Sequence, residues 1–275
     1  MSRELGNVIT LPVVAFLISL VAIVGISRNI WALETNTWQA LASYGATPGN
    51  GVCVAGYTGN RYIYAVTGGN GNNFMRYDIV YNSWAGLANA PGNLNTGAAL
   101  AWNGGNYIFV GRGFTAGAIT GSGTSNGFLR YNIGNGGWDV ATNAPQTWGY
   151  GSGLAWGAGS NIYAVRGAAN KDVYKYDATG GQNTGAWTTY ATALAYTIGN
   201  GGGALCWNGN SDWIYAFRGN DITGGNLLEC YNGGNNWSVI NANLSISGAN
   251  FGGSLVWDGG NFIYAIKGNS TSEWA

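Results

Sequence analysis

The stretch Gly97-Ala98-Ala99-Leu100-Ala101-Trp102 decides the fold, because the chain writes it again and again. It recurs as Gly151-Ser152-Gly153-Leu154-Ala155-Trp156, as Gly202-Gly203-Ala204-Leu205-Cys206-Trp207 and as Gly252-Gly253-Ser254-Leu255-Val256-Trp257. A degenerate copy is Gly51-Val52-Cys53-Val54-Ala55-Gly56. Each copy reads as a glycine-led first strand. A second strand follows it, at Tyr62–Val66, Tyr107–Gly111, Asn161–Val165, Trp213–Phe217 and Phe262–Ile266. Third strands carry Phe74-Met75-Arg76-Tyr77, Phe128-Leu129-Arg130-Tyr131, Val173-Tyr174-Lys175-Tyr176 and Leu228-Glu229-Cys230-Tyr231. A Trp opens each fourth strand, at Trp38, Trp84, Trp138, Trp187 and Trp237, at intervals of 46, 54, 49 and 50 residues.

Short β-rich runs bounded by Gly and Asn at such a period are the blades of a propeller. The pattern resembles the kelch family, most clearly in Tyr77-Asp78-Ile79-Val80-Tyr81-Asn82-Ser83-Trp84, where Tyr and Trp stand seven apart. The same spacing links Trp31 to Trp38 and Tyr131 to Trp138. Between Tyr176 and Trp187 there is an insertion, and Tyr231 to Trp237 is one residue short. The family's double glycine survives only as Gly68-Gly69. The resemblance spans nearly everything after residue 28 and implies an all-β fold, a five-bladed kelch-like β-propeller over 28–275. The chain stops at Thr271-Ser272-Glu273-Trp274-Ala275, which aligns with a third strand, so the last blade needs a fourth from the segment Thr35 to Leu41. Mixing both termini in one blade closes the ring without an open edge. The alternative is a swap that completes a neighbouring subunit's blade.

Composition limits the chemistry. The 275 residues include 49 Gly, 13 Trp and 17 Tyr but no His, which removes Ser-His-Asp triads, Cys-His dyads and His-ligated metal sites. Charged residues are 8% of the chain and cancel to zero net charge, against roughly 25% in an ordinary domain. Such a chain offers no broad field for nucleic acid.

Before the repeats, Val8 to Ile26 form an uncharged run of nineteen residues. As a helix it would span about 28 Å, close to the thickness of a bilayer core. A secretory signal peptide is the plain reading, but no good small-residue cleavage site follows. The stretch Thr10-Leu11-Pro12-Val13-Val14-Ala15, continued by Phe16-Leu17-Ile18-Ser19-Leu20, resembles the N-terminal helix of archaeal type-IV pilins. No Lys/Arg-Gly pair precedes it, and Gly6 is the candidate cut site. The resemblance implies an assembly helix over 1–27 whose apolar face, with Val8, Leu11, Pro12, Val13, Val14, Phe16, Leu17, Leu20 and Ile23, packs against copies of itself. A single-pass membrane anchor is the alternative.

Several residues are candidates for contact with a ligand or a neighbouring subunit. Arg112, Arg166, Arg218 and Lys267 occupy equivalent places, with Thr67 in the fifth, and are expected to form a cationic ring. Local pairing with Asp172, Asp221, Glu273 or a carbonyl is the structural alternative. Loops entering the first strands carry Trp148, Tyr150, Tyr196 and Phe251, whose faces suit sugar rings or blade packing. The strand Trp and Tyr residues read as core. Asp78, Asp172, Asp177 and Asp258 sit at repeated turn positions and read as structural acids, so no enzyme is expected, and no cofactor. Cys206 and Cys230 fall on the first and third strands of one blade, about 9–10 Å apart and beyond disulfide reach. Sequons at Asn236, Asn243 and Asn269 are candidate glycosylation sites. These readings combine into a subunit of a pilus-like extracellular filament that displays propellers for adhesion. The alternative is a membrane-anchored propeller that binds glycans or protein partners.

Overall fold

Antiparallel pairing of the repeated strands is what a computed structural model of the chain shows, over residues 40–266 except 58, 103, 115–125, 181–184, 190–193, 195–196, 200, 202, 210–212, 220–227, 233–236, 242–252 and 259. The chain forms two compact units, Met1–Leu41 and Ala42–Ala275, and every strand belongs to the second. The assembly-helix residues, Trp38 and the strand expected at Thr271–Ala275 lie outside the described residues; of the strand expected at Thr35–Leu41 only Ala40 and Leu41 are described, and they belong to no strand.

Five sheets succeed one another along the chain. The first is β1 (Cys53–Gly56), β2 (Tyr62–Val66), β3 (Phe74–Asp78) and β4 (Ser83–Gly86). The second is β5 (Ala99–Trp102), β6 (Tyr107–Gly111), β7 (Phe128–Asn132) and β8 (Gly137–Val140). The third is β9 (Gly153–Gly157), β10 (Asn161–Val165), β11 (Val173–Asp177) and β12 (Trp187–Thr189). The fourth is β13 (Ala204–Trp207), β14 (Trp213–Phe217), β15 (Leu228–Asn232) and β16 (Trp237–Asn241). In the fifth, β17 (Ser254–Trp257) pairs with β18 (Ile263–Ile266). Every sheet is an up-and-down meander, so its first strand is one edge.

Register follows the aromatic pairs rather than the loop lengths. Tyr77 stands opposite Trp84, Tyr131 opposite Trp138, Tyr176 opposite Trp187 and Tyr231 opposite Trp237. The insertion before Trp187 is absorbed in the hairpin loop, because a one-residue slip would turn both rings away from the core. In the first three sheets the residue that ends the third strand caps its own turn: Asp78 accepts from Val80 N at 3.0 Å, Asn132 from Gly134 N at 2.9 Å and Asp177 from Thr179 N at 2.9 Å. A short polar side chain that bonds two residues ahead imitates a backbone turn, which explains why only Asp or Asn stands there.

The core lies between sheets. Four apolar clusters each join two consecutive sheets. First strands show how: Leu100 and Trp102 pack toward the first sheet, while Ala99 and Ala101 pack toward the third. The large face of one strand meets the small face of the strand before it, as interdigitation at interior density requires. Third-strand aromatics continue this outward. Phe74 meets Tyr131 at 4.8 Å and Trp138 at 5.0 Å, and Phe128 meets Tyr176 at 5.0 Å and Trp187 at 4.9 Å, all steeply inclined or edge-on.

A second contact crosses the same boundaries. Trp84 Nε1 donates to the Ala42 carbonyl at 3.0 Å, Trp138 Nε1 to Ala88 at 2.7 Å and Trp187 Nε1 to Thr142 at 2.8 Å. Each acceptor lies four residues after the preceding landmark Trp of the sequence. The indoles of Trp138 and Trp187 therefore pin their sheets to the chain leaving β4 and β8, and that of Trp84 holds Ala42, ahead of β1.

Glycine is required where the first strands begin. Gly51, Gly97 and Gly151 have φ of 86°, 80° and 76°. A Cβ on Gly97 would fall on the Gly149 carbonyl oxygen, and one on Gly51 on that of Asn95. Gly97→Ala is expected to cost at least about 2 kcal/mol, since left-handed backbone strain alone accounts for roughly 1–3 kcal/mol. Gly86→Ala, where a Cβ meets nothing within 4 Å, is expected to change stability by less than about 0.5 kcal/mol. Urea unfolding of the two variants checks the contrast.

Candidate functional site

The first strands β1, β5, β9, β13 and β17 neighbour one another in that order and line one cavity. It measures about 430 Å³ and is lined by the C-terminal parts of these strands, with Tyr57, Trp102, Trp156, Trp207 and Trp257 among the lining residues. A second cavity of about 680 Å³ lies at the loops that enter these strands, lined by Gly51, Gly97, Gly151, Thr96, Ser152 and Tyr150 among others. Among the described residues neither lining contains a carboxylate or a cation. No group of three or more His, Cys, Asp or Glu that could hold a metal occurs among the described residues.

The arginines of the expected ring sit at equivalent places, directly after β6, β10 and β14, and neither cavity is lined by them. Their bonding repeats. Arg112 Nε and Nη2 donate to the Asn93 carbonyl at 3.2 and 3.0 Å. Arg166 Nε donates to Thr147 O at 3.2 Å, and Arg218 Nε to Thr197 O at 3.0 Å. Two residues further on, the backbone answers: Asn95 N donates to Arg112 O, Gly149 N to Arg166 O and Gly199 N to Arg218 O. The arginine thus clamps the segment that enters its own sheet from both main chain and side chain. Arg112 is 1% exposed, and burial lowers the affinity of its guanidinium for the proton. Arg166 adds an ion pair with Asp172 at 3.9 Å. In the first sheet Thr67 takes the arginine's place. Gly49 N still donates to its carbonyl, but the buried Thr67 Oγ1 finds no hydrogen-bond partner. Lys267 lies outside the described residues.

The loop aromatics divide. Trp148 is buried, donates through Nε1 to Gly127 O at 2.9 Å and packs on Phe128 and Trp187, so it is a core residue. Tyr150 is 39% exposed, lies 5.7 Å from Phe114 and lines the second cavity. Tyr196, Phe251 and the sequon residues Asn236, Asn243 and Asn269 lie outside the described residues.

The repeated acids are engaged locally. Asp78 receives Arg61 through both carboxylate oxygens along with two backbone amides, and these donors hold its pKa below the usual aspartate range. Asp177 is lowered by the Thr179 hydroxyl and amide, and Asp258 accepts from Gly260 N and Phe262 N. Arg130 pairs with Asp139 directly across β7 and β8 at 3.0 Å, its guanidinium 4.4 Å from the centre of the Tyr107 ring. Cys206 and Cys230 flank Tyr215 on β13 and β15, with β14 between them.

Sequence reading treated the first-strand tryptophans as core and so missed that four repeat positions also border the central cavity. The signal was present in the degenerate copy, which ends in Gly56 where the others end in Trp.

If Arg112 acts as a clamp, Arg112→Lys keeps the charge but loses the two-pronged contact and is expected to cost about 1–3 kcal/mol, the range for leaving a buried polar group unsatisfied. Thermal unfolding checks this, and an unchanged midpoint for Arg112→Lys would argue against the clamp.

Among the described residues no helix is long and apolar enough to cross a membrane, and Val8 to Ile26 lie outside them. No family model and no curated protein matches the chain. Among solved structures 157 chains match. One of them, titled "Structure of YjhT", has a TM-score of 0.63 at 16% identity, covering 86% of this chain and 81% of that one. Likeness at that identity speaks to fold alone. The chain has an all-β, β-propeller-like architecture of successive antiparallel sheets.

Proposed function

We propose that this chain is a non-catalytic subunit of an extracellular, pilus-like filament, in which a five-bladed kelch-like propeller is displayed on an N-terminal apolar helix for surface adhesion. The observation that carries the proposal is the joining of a nineteen-residue uncharged run, Val8 to Ile26, to an all-β unit whose repeated polar groups are engaged internally. The arginines clamp entering segments, the turn acids cap their own hairpins and the central cavities present no charge. What remains for assembly is the apolar run, and a helix apolar all round must be buried in lipid or among its copies. An overall charge of zero lets copies pack closely without mutual repulsion. In this reading the β17–β18 pair belongs to a fifth blade completed by Thr271–Ala275 and Thr35–Leu41. Glycans at Asn236, Asn243 and Asn269 would add polarity to a surface poor in charge.

The second reading, a membrane-anchored propeller that binds glycans or protein partners, is favoured by Tyr150, exposed at the second cavity. Electron microscopy of material shed from the cell surface, with mass spectrometry of the N-terminus, separates the two. Regular filaments of this chain with Val8 to Ile26 retained are expected, and deletion of residues 1–27 is expected to release monomers. Single particles confined to the membrane fraction would overturn the filament and leave the anchor.

A further inference from the structure

One repeat position is built differently from its four counterparts. The tryptophan near the end of each of four first strands pairs with an isoleucine of the second: Trp102 with Ile108, Trp156 with Ile162, Trp207 with Ile214 and Trp257 with Ile263. In the first sheet the partner of Ile63 is Gly56. Backbone geometry does not demand that glycine. Gly56 is absent from the residues of positive φ, and a Cβ there would meet only Ile63 Cγ1, at an ordinary 3.6 Å. Gly51, at the start of the same copy, has no such freedom.

The missing indole leaves its surroundings open. Cys53 and Ala55 of β1 pack toward the second sheet, so alternation puts Val54 and Gly56 on the opposite face. Val54 is 62% exposed, whereas the leucines at its equivalent places, 100, 154, 205 and 255, are buried. In the fifth sheet Leu255 packs toward the fourth, which leaves Val256 on the other face, 57% exposed, where Ala101, Ala155 and Cys206 are buried. Second-strand aromatics give the same contrast. Tyr64 lies 5.0 Å from Trp102 and Phe109 6.1 Å from Trp156, each buried beneath the indole of the following sheet. Tyr264, their counterpart in β18, is 41% exposed. Val54, Gly56, Tyr57 and Val256 all border the cavity of about 430 Å³, whose lining is uncharged.

We propose that the hollow at Gly56 is a binding site for a planar, uncharged aromatic ring of indole size. Trp102 and Trp156 show what this architecture holds at that place: a flat ring on a first strand, set against the second-strand aromatic of the sheet before it. The cavity volume falls within the roughly 300–1,000 Å³ of small-molecule pockets. Its walls supply the side chains of Val54 and Val256 and, among the described residues, no charge to favour an ionic ligand. The site rests on the fifth sheet facing the first, as in the proposed five-bladed ring, but not on filament assembly, so its failure and the failure of the filament are separate results.

Indole itself is the probe, titrated into the full chain and followed by saturation-transfer NMR. Saturable binding at one site per chain is expected. Gly56→Trp places the chain's own indole in the hollow and is expected to weaken probe binding at least tenfold while the unfolding midpoint stays at or above the parent's. Val256→Arg, at an already exposed position of the opposite wall, is expected to weaken it similarly, which keeps the test decisive if the first variant fails to fold. Gly86→Trp, on β4, should leave binding unchanged. Absence of saturable binding, or binding that survives both Gly56→Trp and Val256→Arg, would overturn the proposal.

Discussion

The contact on which the rest depends is an indole N–H reaching from one sheet to the chain that leaves the sheet before it. Trp138 and Trp187 make it onto Ala88 and Thr142, and Trp84 makes the same bond to Ala42, ahead of β1. The second and third sheets each put apolar side chains on both faces. Each must be covered on both sides, and the aromatic stacks between sheets supply that cover. Stacked rings, however, tolerate sliding. The indole bond is directional, and it fixes where along the boundary the Phe74 and Phe128 edges meet the next Tyr-Trp pair. Loss of the bond would leave area buried but register weakly held.

The polar residues serve the same end. In an ordinary protein a conspicuous arginine at a strand end invites a ligand. Here the guanidinium and the main chain of Arg112 grip one entering segment at Asn93 and Asn95. The same pair of bonds recurs at Arg166 and Arg218, so a chain with few charges commits several of them to its own fold. Among the described residues the walls of the two cavities carry no charge.

The strands were legible in the sequence to within a residue or two, because the glycine-led first strand and the Tyr-Trp pair carry both the alternation and the turn chemistry. The pairing of Tyr176 with Trp187 across an insertion was readable for the same reason: only that register keeps both rings inside. The fate of the arginines was open to sequence reasoning only as alternatives, since a strand-end guanidinium can turn to solvent, to a carboxylate or to a carbonyl. The carbonyls of Asn93, Thr147 and Thr197 come close through packing of loops some twenty residues away, which no local pattern encodes. Trp148 was misleading in a similar way. Its loop position suggested a mouth, but its indole finds Gly127 O and a place among Phe128 and Trp187.

The most direct test of the coupling between sheets is urea unfolding of Trp138→Phe beside the parent chain, followed by far-ultraviolet circular dichroism and by tryptophan fluorescence. Phenylalanine keeps a ring against Phe74 and Tyr131 and removes the donor to Ala88. If the indole bonds couple the sheets, both signals move together to a midpoint lower by about 0.5–1.5 kcal/mol in stability, the net worth of one hydrogen bond whose acceptor, the Ala88 carbonyl, is exposed. Two separate transitions in the parent, or an unchanged midpoint in the variant, would mean that the sheets stand independently and that the indole bonds do not couple them.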